Sequence, residues 1–316
     1  MEQQQTITIG ISACLAGEKV RYDGSAKRSS FCMDQLGKHV KYQHYCPEVA
    51  VGMTIPRPTI RQTQQQERII LASADGSNDV TDAMIDYGKQ IAEKVDHLSG
   101  FIFCAKSPSC GMERVKVYAA SGQSSSSNGV GLFAAEIMAH NPLLPCEENG
   151  RLNDADIREN FIARVYIYHR WQQLIASGIS RKKLIDFHSQ LKYTLMSHDP
   201  LAVKRLGQIL ADASIAVDEQ ASRYIQGCMQ TLKLIATRKK HTNTLQHLQG
   251  YFADELNSQE REILTDQIHR YRQGLVPLLV PIEQLKHYLN LYPKSYLQQQ
   301  TYFNPYPEDL RLRYSQ

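Results

Sequence analysis

Short β-rich runs separated by helical periodicity fill the first half of this 316-residue chain and then stop. Strand-forming segments stand at 6–13 (TITIGISA), 39–45 (HVKYQHY), 68–73 (RIILAS), 100–106 (GFIFCAK) and 115–120 (VKVYAA). Between them, 79–98 places apolar residues at helical spacing behind Asp79 or Thr81 as a cap, and 129–140 repeats the pattern. Such alternation predicts an α/β domain with a mainly parallel, Rossmann-like sheet, because each parallel connection has to cross back over a face. The polar run SGQSSSSNG (121–129) reads as a flexible loop. From about residue 151 only amphipathic helical patterns remain, so the second half is expected to be all-α. The Pro-, Asn- and Gly-containing stretch 141–154 joins the halves, and the expected domains are 1–146 and 147–316. The Tyr- and Pro-dense tail, from residue 275 on, reads as a segment laid over a surface rather than a long free helix.

With 42% hydrophobic residues the chain can bury two cores of ordinary size. No apolar run approaches the roughly 18 to 20 residues of a spanning helix. The start, MEQQQTITIG, lacks a basic segment followed by an apolar one, so the expected compartment is the cytoplasm and the seven cysteines are expected as reduced thiols. Charge divides unevenly: residues 1–150 hold 14 Lys and Arg against 16 Asp and Glu, residues 151–316 hold 22 against 16. The basic second half suggests an anionic partner.

Three cysteines fall where an open α/β sheet presents its ligands, at or just past a strand's carboxyl end. Cys14 follows the first strand segment, Cys46 follows the second, and Cys110 lies just beyond GFIFCAK. Three soft thiolates at one edge suit zinc, copper(I) or an iron–sulfur cluster, and a set of three leaves one position open. The same residues also fit as small buried apolar groups, and no CxxC pair decides between the two. In ACLAGEKVRYDG, Lys19, Arg21 and Tyr22 are either contacts for an anionic substrate group or solvated loop residues. Glu48, in CPEVAVG, is either an acid or base beside a metal or a carboxylate at a helix start. Ser107 and Ser109, in KSPSCGM, occupy either a ligand-presenting turn or an ordinary one. The histidines form no HExxH pattern, so a second metal site is not expected.

Taken together, ACLAGEKVRYDG, YCPEVAVGM with the following PRPTIR, and KSPSCGM resemble the signature blocks of the thiouracil desulfidase family, over about residues 7–142. The second half resembles the helical domain often fused to it, through LPCEENGRLNDADIRENFIARVY, FHSQLKYTLMSHD, HTNTLQHLQGYF, YRQGLVPLLVP and YLQQQTYFNPYP. For such two-domain proteins the resemblance implies removal of sulfur from 4-thiouridine in tRNA. It implies a 4Fe-4S cluster bound by three cysteines, with one iron free for substrate sulfur. Carried over, the ligands are Cys14, Cys46 and Cys110, while Cys32, Cys104, Cys146 and Cys228 fall outside the set and Cys104 reads as core. A Lewis-acidic iron then makes the pyrimidine C4 electrophilic to water, with Glu48 as acid or base and Ser109 and Ser107 positioning water or stabilising the tetrahedral intermediate.

In the helical half the expected tRNA contacts are Arg158, Arg164, Arg170, Arg181, Lys182, Lys183, Arg238, Lys239 and Lys240, with Lys192 and His247 nearby and aromatics interleaved in RVYIYHRW. Ordinary solvated helix faces carry the same charges. Two other readings stay open: a desulfidase restricted to small thiopyrimidines, and a non-catalytic iron–sulfur protein that binds RNA or senses sulfur. Salt-dependent tRNA affinity separates the first, and turnover to sulfide the second.

Overall fold

Thr8–Ser12 (β1), Lys41–Tyr45 (β2), Gly100–Phe103 (β5) and Cys146–Glu148 (β8) form a sheet in the order β2-β1-β5-β8 in the computed structural model, which describes residues 6–122 and 124–314. Every pairing in it is parallel. A second sheet, in the order β4-β3-β6-β7, joins Ile60–Gln65 (β3), Arg68–Ser73 (β4), Val115–Ala119 (β6) and Ser125–Gly129 (β7) by mixed pairings. The helices of this unit are Pro47–Ala50 (α1), Thr81–Ala92 (α2) and Leu132–His140 (α3). The expected α/β architecture with a mainly parallel sheet is therefore present, although RIILAS and VKVYAA lie in the second sheet.

Close packing explains the first sheet. Ile9, Ile11, Phe101, Ile102 and Phe103 are completely buried, and the rings of Phe101 and Phe103 stack with centroids 4.3 Å apart. A Cβ at Gly10 would stand 2.4 Å from the Phe101 ring, so this central strand needs glycine there. Order β2-β1-β5 means that the chain leaves β1 to one side and later returns to the other. The crevice outside the carboxyl ends of β1 and β5 is thus a topological switch point, the usual ligand position of such sheets.

The expected loop 121–129 is corrected in part. Gln123 lies outside the described residues, as do Met1–Gln5, but Ser125–Gly129 is an exposed edge strand antiparallel to β6. Its polarity hides it, because backbone pairing with β6 and not side-chain burial forms it. The division between the units falls at Asn153/Asp154, beyond the expected 146/147. Cys146–Glu148 pairs with β5, so those residues belong to the first sheet.

The second unit, Asp154–Gln316, is helical: Ala155–Ala176 (α4), Arg181–His198 (α5), Pro200–Ala211 (α6), Val217–Lys233 (α7), Arg238–Gln249 (α8), Ser258–Arg272 (α9), Leu279–Leu291 (α10) and Ser295–Gln298 (α11). Asp154 caps α4 by accepting from the backbone N–H groups of Asp156 and Ile157. The tail contributes a full helix, α10, and then runs over the others with Tyr302 and Phe303 in the core. No helix among the described residues is long and apolar enough to cross a membrane.

Buried polar groups tie that tail down. Tyr306 donates to Glu159 Oε1 at 2.8 Å, Arg313 donates to the same oxygen and to the Tyr302 carbonyl, and His241 Nδ1 lies 2.9 Å from the Tyr302 hydroxyl. Burial, reinforced by Arg313, His198 and Arg238, holds His241 well below the usual histidine range, and burial lowers His198 too. The unfolded chain takes up these protons near pH 6.5 while the folded chain does not, so stability falls as pH drops below about 6.5, by at most about 1.4 kcal/mol per pH unit for each histidine. Thermal melts followed by the fluorescence of the single, buried Trp171 are expected to shift downward from pH 7 to 5.5, and less steeply in His241→Gln.

Candidate metal centre and active site

At the carboxyl edge of the first sheet, three loops close on a cleft of about 360 Å³. Cys14 enters from the turn Ala13–Ala16 after β1, which Gly17 ends in the left-handed region at φ 100°. The Cys14 carbonyl accepts from Lys27 N at 2.9 Å, folding the 17–27 loop back over the site. Cys46 stands between β2 and α1, and Cys110 ends a turn after β5. All three line the cleft, as the strand-end argument expects, and Cys104 lines it as well. The expectation of Cys104 as core holds for its burial but misses that it faces this cleft.

The turn carrying Cys110 is fixed from every side. Ser107 Oγ accepts from Ser109 N and Cys110 N, at 3.3 and 3.1 Å. Ser109 O accepts from Phe133 N and Ala134 N, and Gly111 O from Gly131 N, so the open N-terminus of α3 is capped by the turn itself. Only glycine fits at 131, where a Cβ would meet the Ser109 carbonyl at 2.5 Å. Gln62, a buried residue of β3, donates through Nε2 to Pro108 O at 2.9 Å. Ser12 Oγ accepts from Cys104 N at 3.0 Å, Asn149 Oδ1 from Ala105 N at 3.0 Å, and buried Glu148 from Met112 N at 2.7 Å.

Glu48 projects into the cleft with both oxygens held. Its Oε1 accepts from Ser109 Oγ at 2.9 Å, and its Oε2 accepts from Arg57 Nε at 3.0 Å and Nη2 at 2.5 Å. The Arg57 side chain is 3% exposed and also donates to the Thr54 and Val20 carbonyls. Ser109 is fully buried and reaches Glu48 rather than the cleft, whereas Ser107 lines the cleft. Arg21 and Tyr22 line it too, Lys19 does not, and Lys27 takes a place that the sequence reading left empty. Arg57 and Ser12 were likewise missed. The run PRPTIR was the only sign of Arg57, and nothing local marked Ser12.

The Cys14–Cys104 hydrogen bond and burial control the thiols. The hydrogen bond from Cys14, with Lys27 and Arg21 nearby, draws Cys104 down to about 7, and the same bond together with burial pushes Cys14 far up. Burial raises Cys46, and burial with the Glu48 charge raises Cys110 well above the usual thiol range. Among the described residues no three Cys, His, Asp or Glu side chains close on one point as a single ion requires. Cys14, Cys46 and Cys110 border one cavity from three loops, a soft donor set that fits a cluster presenting its irons at separate corners. Binding has to displace the protons that burial keeps on Cys46 and Cys110 and that the Cys104 hydrogen bond, with burial, keeps on Cys14.

The basic residues of the helical unit are mostly engaged within it. Arg164 is buried and donates to Asn160. Arg170 donates to Thr301, Arg181 to the carbonyls of Asp212, Ala213 and Ile215, Lys183 to those of Ser177 and Gly178, Arg238 to Tyr271 O, and Lys240 to His198 O. Arg158 also has a partner, and Lys182 and Lys239 are exposed.

Two family models match this chain: 2-thiouracil desulfurase over residues 9–149, and a protein of unknown function, DUF1722, over residues 192–307. The uncharacterized protein YbgA of Escherichia coli (strain K12) is 35% identical over 159 residues, which are 50% of this chain and 94% of that protein. Among solved structures, the [4Fe-4S]-dependent thiouracil desulfidase TudS is 28% identical and similar over 47% of this chain and 94% of its own, with a TM-score of 0.39.

Removing Arg57 leaves a partly buried carboxylate unpaired. Arg57→Ala is expected to cost about 3 kcal/mol in urea unfolding of the full, metal-free chain, and Arg57→Ala with Glu48→Gln clearly less than the two single losses added. Equal, additive losses would show that the pair is not coupled.

Proposed function

The chain belongs to the family of Escherichia coli YbgA and joins a 2-thiouracil desulfurase domain, residues 9–149, to a DUF1722 domain, residues 192–307; from that premise we propose that it removes sulfur from 4-thiouridine in tRNA in the cytoplasm, using a 4Fe-4S cluster held by Cys14, Cys46 and Cys110. The observation that carries this reading is the convergence of these cysteines on one cleft beside a Glu48 fixed by Ser109 and Arg57. Bound there, the cluster supplies a Lewis-acidic iron with an open position for a thiocarbonyl sulfur.

The protein's own groups do the rest. Each Glu48 oxygen has two lone pairs, so the two hydrogen bonds from Arg57 fill Oε2 and the one from Ser109 leaves a lone pair of Oε1 for the cleft. Glu48 takes a proton from water attacking the pyrimidine C4 and returns it as sulfur leaves. Ser109 and Arg57 orient that carboxylate, and Arg57 balances its charge. Ser107 lies on the cleft wall, in reach of water or of the oxygen that replaces sulfur. Arg21, Tyr22 and Lys27 offer two cations and a ring at the mouth for the nucleotide. Thiocarbonyl and water become carbonyl and hydrogen sulfide, with no net electron transfer. On the helical unit, exposed Lys182 and Lys239 are the expected basic residues best placed to meet RNA phosphate.

Anaerobic reconstitution followed by incubation with bulk bacterial tRNA tests the reading through the near-ultraviolet absorbance of 4-thiouridine. The absorbance is expected to fall with release of sulfide. Cys110→Ala is expected to lose bound iron and at least about a hundredfold in rate, because a structural ligand is gone, while Cys104→Ala keeps its iron. Conversion of free thiouracil without loss from tRNA would restrict the enzyme to small thiopyrimidines, and a full cluster without turnover would refute the desulfidase reading.

A further inference from the structure

Beside the thiol cleft lies a second basin of about 410 Å³, and the two share Ile60, Lys106 and Pro108 as a common wall. Its lining includes Arg61, Lys106, Arg114, Lys116, Tyr118 and Ser127, and no carboxylate among the described residues. Four cations therefore gather on one face of a half-chain in which acidic residues outnumber basic ones.

The fold makes this segregation. In β3 and β6 buried Gln62, Val115 and Val117 alternate with outward Arg61, Lys116 and Tyr118, and Thr63 pairs with Tyr118 in parallel register. Residues 61 and 116 thus share the outer face two positions back. Arg61 lies over the Tyr118 ring at 4.7 Å and donates to Ala74 O, yet its buried Nε has no acceptor. Lys106 and Arg114 bound the strand-linking turn with φ of 63° and 54°, a conformation that non-glycine residues rarely adopt. Glu113, next to the basin, is bridged between Arg114 and Arg151.

A free thiopyrimidine base offers nothing for four cations to bind. A polynucleotide does, since the nucleotides flanking a base inserted in the cleft carry one phosphate each. We propose that this basin binds the phosphodiester backbone next to the reacting base, so that the desulfurase domain holds RNA directly. The inference rests on the tRNA reading above. Lys116 contacts the backbone as a point charge, Arg114 exchanges its exposed ion pair with Glu113 for a phosphate, and Arg61 with Tyr118 forms a platform for phosphate or an unstacked base.

The experiment compares the full chain with Lys116→Gln/Arg114→Gln, two residues outside the thiol cleft, for binding of bulk 4-thiouridine tRNA over a range of salt concentrations. The double variant is expected to bind about tenfold more weakly, with the slope of log K against log salt reduced by about 1 for each cation removed, and Lys116→Arg is expected to match the parent. Turnover of free thiouracil by the reconstituted variant is expected to equal the parent's, which excludes misfolding. Unchanged affinity and slope in the variant overturn the basin as an RNA site while leaving the desulfidase reading intact. Absence of tRNA binding by the parent overturns both. Weaker turnover of 4-thiouridine monophosphate with unchanged tRNA affinity makes the basin a site for a free nucleotide phosphate and overturns the backbone proposal.

Discussion

The segment from Cys104 to Glu113 has almost no regular secondary structure, and the site depends on satisfying its backbone. A buried polar backbone group without a partner costs on the order of 1 to 3 kcal/mol, so an irregular turn at the end of a buried strand persists only if the surroundings answer each group. Ser12 answers Cys104, Asn149 answers Ala105, Gln62 answers Pro108, the start of α3 answers Ser109 and Gly111, and Glu148 answers Met112. These partners come from both sheets and from α3. The first unit thus acts as a jig that sets Cys110 opposite Cys14 and Cys46, and β8 belongs to it for that reason.

Charge in the cleft follows from the same burial. Arg57 is nearly inaccessible and fixes Glu48 from one side while buried Ser109 fixes it from the other, leaving the carboxylate little rotational freedom. Orientation of this kind favours general acid or base work, where a misplaced oxygen loses much of the rate. The thiols are mostly held protonated by burial, with Cys104 the exception because Cys14 donates to it and two cations face it. A cluster held at this site would take the place of thiol protons, which would couple its retention to pH.

Basic residues carry different meanings in the two units. In the helical unit several of them end helices or staple loops by donating to carbonyls, for example Arg181 across the residues after α6 and Lys183 at the end of α4. Such groups complement helix C-termini and leave fewer charges for a ligand than the surplus of Lys and Arg suggests. In the first unit the strand alternation pushes cations to one outer face, next to the cleft. Net charge by halves pointed to the second unit, but charge sorted by position points to both.

By itself the sequence determined the α/β half, the helical half, the placement of Cys14, Cys46 and Cys110 at strand ends, and Glu48 beside them. Those features are local: period-2 and period-3.6 patterns and the residues just past a strand are visible in any short window. The glutamine-rich β3, the serine-rich β7 and the short β8 were not legible, because pairing with a neighbouring strand forms them. Arg57 and Ser12, the turning of Ser109 toward Glu48, the entry of Cys104 into the cleft and the engagement of the helical arginines were also decided only by the tertiary structure. Each depends on partners far apart in the chain, such as Glu48 and Ser109 or Arg170 and Thr301, and a local pattern holds no record of which distant group will answer a buried donor or charge.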